Sequence, residues 1–108
     1  MTLAPGQTTT INLNYVPDPD LNAAQDMDLY VFSGIGTTFH GYDVVAKSAE
    51  PAGTDEQVTL FSPSGGTYSV VPLGWSIVRD QGFTLTSSNA PLTYEYEGYY
   101  LQTAGLGL

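Results

Sequence analysis

The stretch "DPDLNAAQDMD", residues 18–28, crowds Asp18, Asp20, Asn22, Asp26 and Asp28 into one short segment. Hard cations such as calcium take six to eight oxygen ligands from flexible, carboxylate-rich loops, and this segment offers several. It does not match the EF-hand loop, which needs Asp-x-Asp/Asn-x-Asp/Asn-Gly and a terminal Glu. Two readings stand. In one, Asp18, Asp20, Asp26 and Asp28 are calcium ligands. In the other, Asp18 and Asp20 shape turns while Asp26 and Asp28 open a solvated strand face. Asp55 and Glu56 join a metal site only if their loop folds beside it. An acid–base pair is a third chemistry, but alternate residues of any strand share a face, so Asp26-x-Asp28 says little without a cleft.

Other reactive types are sparse. There is no cysteine, which removes disulfides, thiolate metal sites and a cysteine nucleophile. His40 is the single histidine, and no Gly-x-Ser-x-Gly elbow accompanies it, so it reads as an exposed loop residue. Aromatics are more numerous. Trp75, Tyr30, Phe32, Tyr94, Tyr96, Tyr99 and Tyr100 are candidates for stacking on a sugar or gripping an extended peptide. Trp75 is also a natural plug for one end of a small β core. Tyr30 and Phe32 are expected to face outward, as a contact surface or under cover of the C-terminal tail.

The elements that must position these residues are strands. Short runs rich in Val, Tyr, Phe, Thr and Leu alternate with Gly, Pro, Asn and Ser clusters, and strong helix signals are missing. "TTTINLNYV" puts Ile11, Leu13 and Tyr15 on one face. "MDLYVFS" puts Met27, Leu29 and Val31 on one face and Asp26, Asp28, Tyr30 and Phe32 on the other. "DVVAKSA", "QVTLFS", "TYSVVPLGW" and "FTLTSS" follow as strands, with Val58, Leu60, Phe83 and Leu85 inward. Pro72 confines its strand to an edge or a bulge. The tail "LTYEYEGYYLQTAGLGL" starts with strand-like alternation and ends in small residues.

A chain of 108 residues fits one domain. Lys47 and Arg79 are the only basic side chains against 11 acidic ones, a net charge of -9. No basic patch can neutralise a phosphate backbone, so nucleic acid is excluded as a partner, and anionic membrane surfaces are disfavoured. No apolar run approaches the roughly 20 residues that span a bilayer.

Taken in order, "DMDLYVFS", "VVAKSAEPAGTDEQVTL", "SPSGGTYSVVPLGWSI" and "FTLTSS" resemble the bacterial pre-peptidase C-terminal domain over about residues 7 to 88. That family shows an Asp-apolar-Asp-Leu-Tyr strand, a Glu-x-Val-Thr-Leu strand and a Gly-Thr-Tyr-x-Val strand running into a Gly-Trp or Gly-Tyr turn. This chain departs from it at Leu73, where a polar residue is common, in the long "GIGTTFHGYD" loop, and in the tyrosine-rich tail.

The resemblance implies an all-β, jelly-roll-like antiparallel β-sandwich over residues 1–88, followed by a C-terminal extension over 89–108. It implies a non-catalytic accessory module of a secreted bacterial hydrolase, most often a peptidase. Such a module serves in substrate binding, secretion or maturation. Its partners would be the parent catalytic domain of a longer precursor and a protein or polysaccharide substrate. The related collagen-binding modules hold calcium through acidic residues near their N-terminal segment. Two alternatives remain open: a carbohydrate-binding module using exposed aromatics, and a calcium-stabilised structural spacer.

Overall fold

The computed structural model describes residues 1–17, 19, 21, 24–35, 40–77 and 81–93. Within them the chain is all-β, with seven strands: β1 Thr2–Leu3, β2 Gln7–Asn14, β3 Asp26–Ser33, β4 Val44–Ser48, β5 Glu56–Ser62, β6 Gly66–Ser76 and β7 Thr84–Ser87. They form two antiparallel sheets, ordered β1-β6-β3-β4 and β5-β2-β7. The chain changes sheet at every connection except β3 to β4. Among the described residues no helix is long and apolar enough to cross a membrane.

Alternation makes these strands two-faced. In β5, Glu56, Val58, Leu60 and Ser62 are buried while Gln57, Thr59 and Phe61 are exposed. In β2, Thr9, Ile11 and Leu13 are buried. These faces meet Met27, Leu29 and Val31 of β3, with Leu3, Tyr15 and Leu85, in one core shared by both sheets. The expected inward faces of β2, β3 and β5 are thus found as read. Leu85 is inward too, but Phe83 lies ahead of β7 and is exposed, against expectation.

β3 is buried on both faces. Tyr30 and Phe32 pack with Leu73, Val44 and Val71 in a second cluster. The "PSGG" turn joins β5 to β6 with Gly65 at φ +72°, a left-handed conformation that suits glycine. A Cβ there would stand 2.9 Å from the Leu3 carbonyl oxygen. Packing continues past residue 88. Asn89 bonds to Thr8 and Thr9 of β2, Ala90 is buried, and Leu92 rests on the main core. Residues 94–108, including the expected extra strand, lie outside the described residues.

Candidate metal centre

β3 enters its sheet irregularly. A register shift falls between Asp26 and Met27, opposite Ser76 and Gly74 of β6. On the other side, pairing with β4 begins only at Leu29, opposite Ser48. Asp26 and Asp28 therefore sit at a strand head whose β4 side is open. Glu56 begins β5 in the other sheet, opposite Leu13. Carboxylate oxygens of Asp26, Asp28 and Glu56 come within 4.8 Å of one another.

All three are withdrawn from water. Asp28 is 4% exposed and Glu56 1%, with Asp26 partly buried. Glu56 is well anchored: it accepts the Ser48 hydroxyl, and its two oxygens accept the Glu50 amide at 3.0 and 3.1 Å. The two aspartates are not. Oδ1 of Asp26 and Oδ1 of Asp28 are both buried without a hydrogen-bond partner. Buried polar atoms are normally satisfied, and a buried charge needs a counter-charge. At such a spacing each ionised pair repels by on the order of 3 kcal/mol at an effective dielectric near 20.

The acidities respond accordingly. Burial, then the neighbouring Asp26 and Glu56 charges, push the Asp28 carboxyl up to about 7, with Lys47 pulling weakly the other way. Burial also raises Asp26. Burial raises Glu56, opposed by its bonds to Ser48 and Glu50.

Tyr15 braces the site from β2's end. Its hydroxyl oxygen accepts the Met27 amide at 3.2 Å and the Gly53 amide at 3.1 Å. Its own amide donates to Asp55 Oδ1 at 3.0 Å. Burial raises the phenol's pKa.

The donor set is all oxygen and carboxylate-rich, with no imidazole or thiolate. That chemistry suits a hard cation. A buried acidic cluster able to bind a metal ion is therefore present, and its two orphaned oxygens are what such an ion would satisfy.

The sequence reading named some of these residues and misplaced others. Asp26 and Asp28 are brought together, but Asp28 is buried and Asp26 partly so, not on a solvated strand face. Asp28 stays in register opposite Leu73, on the same strand face as the buried Tyr30 and Phe32. Glu56 joins them, whereas Asp55 is spent on the Tyr15 amide. Asp18 and Asp20 lie outside the described residues. Tyr30 and Phe32 were expected to face outward, yet they are 8% and 0% exposed and stack at 6.0 Å between centroids. Trp75 does not plug the core; it is 53% exposed. His40 is exposed and stacks on the exposed Tyr42, centroids 5.0 Å apart. Ser48 and the Tyr15 hydroxyl went unread because only pairing between distant strands brings them to the carboxylates.

Comparison with family models, with curated proteins and with solved structures finds no match for the chain.

Proposed function

We propose that this chain is a non-catalytic accessory module of a secreted bacterial hydrolase, most often a peptidase, wound as a jelly roll and steadied by calcium. The observation that carries the calcium part is the pair of orphaned buried oxygens on Asp26 and Asp28 beside Glu56. Asp28 and Glu56 lie too deep for a polymeric substrate to reach, so the cluster supports a structural ion rather than acid–base work. Calcium tolerates irregular coordination with water or carbonyls completing it, whereas magnesium demands near-octahedral order. Bound in a secreted setting, it would join the head of β3 to the start of β5, one strand from each sheet. The accessory role itself rests on the resemblance of the four strand motifs. Docking to the parent catalytic domain or to a protein substrate would use the outer surface.

The test is thermal unfolding in chelator and in millimolar calcium. A ligand held at 100 times its Kd stabilises by about 2.7 kcal/mol, a rise of roughly ten degrees for a domain of this size. No shift in Tm would defeat the calcium reading. A second reading, carbohydrate binding through aromatics, draws on one observation, the exposure of Trp75.

A further inference from the structure

We propose that the ion also acts as a latch on the β4–β5 connection, residues 49–55, holding it shut when bound and releasing it when removed; this rests on the cation reading above. A cluster of acids alone would carry no such role. The independent observation is that Asp28, a member of the cluster and almost wholly buried, has its Oδ1 without a hydrogen-bond partner.

The connection is fastened at three points, and each adjoins the carboxylates. The Glu50 amide donates to both oxygens of Glu56. The Gly53 amide donates to the Tyr15 hydroxyl at 3.1 Å and to the Gln25 carbonyl at 3.2 Å. Asp55 accepts the Tyr15 amide. Most of the rest of the segment, including Ala49, Pro51, Ala52 and Thr54, is exposed, with the Thr54 amide donating to the Pro51 carbonyl at 3.1 Å.

Without a cation, three carboxyl groups share one buried space, and those that are ionised repel one another. Glu56 is the one whose departure would free the connection. It is the first residue of β5, so its side chain can rotate to water without unpairing Val58 or Leu60. That rotation relieves the repulsion and strips the Glu50 amide and the Ser48 hydroxyl of their acceptor. The connection then detaches from its first fastening, and exposed, unfastened backbone is what proteases cut. With the ion in place Glu56 is held inward as a ligand. A secreted module would in this way be protected where calcium is plentiful and open to processing where it is scarce.

Amide hydrogen exchange by NMR tests this, with Tm recorded alongside. The latch predicts that chelator speeds exchange at Glu50 and Gly53 at least tenfold, while paired amides of β2 and β5 change much less. Glu56→Gln keeps an acceptor for the Glu50 amide but removes one charge. Its two loop amides should stay protected in chelator and ignore calcium, and Asp28→Asn should slow them in chelator as well. A calcium-dependent Tm with uniform change across all amides would overturn the latch and leave the calcium reading standing. Neither a Tm shift nor an exchange difference would remove both. Loop amides as fast in both variants as in the wild type would also overturn the latch.

Discussion

Asp28 sets the behaviour of the site at the level of single residues. Its carboxyl titrates at about 7 when folded, against an ordinary 3.8. Between those values the folded chain holds a proton that the unfolded chain has released. Without a cation, its contribution to stability is therefore greatest below about pH 4. It falls as pH rises through 7 and is level above that. Urea midpoints in chelator at pH 5 and pH 8 should show the decline, and Asp28→Asn should flatten it. If calcium occupies the cluster, it should reverse the trend, because such an ion would compete with that proton and bind tighter as pH rises. Tyr15→Phe should cost about 2 kcal/mol by urea unfolding, since it leaves the buried Met27 amide and the Gly53 amide without the hydroxyl acceptor.

β6 shows how an element carries a residue that strands usually reject. Both backbone groups of Tyr68 bond to Met1, at 2.8 and 3.0 Å, so they point to the β1 side. Thr67 turns its carbonyl the other way, to the Gly34 amide. By the alternation of an antiparallel strand, Val70 and Pro72 also face the β1 side. There β1 pairs only with Gly66 and Thr67, so the missing N–H of Pro72 forfeits no ladder bond. Pro72→Ala should consequently change stability by under about 0.5 kcal/mol in thermal or urea unfolding, despite its central place in an eleven-residue strand. The "edge or bulge" expectation for Pro72 was legible because proline's lost donor admits few sites. Which side of β6 was open was not, because two residues at the N-terminus decide it.

At the scale of the whole molecule, the two sheets present different surfaces for a partner. Trp75 is the large aromatic on β6 left open to water, and Phe61 is exposed on β5 of the opposite sheet. If the surface binds insoluble polysaccharide or protein, Trp75→Ala should weaken retention at least tenfold in a pull-down while Tm stays unchanged. Loss of Tm instead would make Trp75 a packing residue. The alternation of β2, β3 and β5 was enough to assign an all-β fold and most of its core, because a period of two is a local property that needs no partner strand to be read. Composition alone leaves no cysteine for a thiolate site and only two basic side chains. The acidic centre was only half legible. Asp26 and Asp28 stood out as a pair, but Asp28 lies on the strand face that also buries Tyr30 and Phe32, which alternation alone does not reveal. Glu56 lies 28 positions beyond Asp28 and reaches it from the other sheet. Distances between strands far apart in sequence are set by packing, and only the assembled sheets turn a scattered set of carboxylates into one unsatisfied, buried charge cluster.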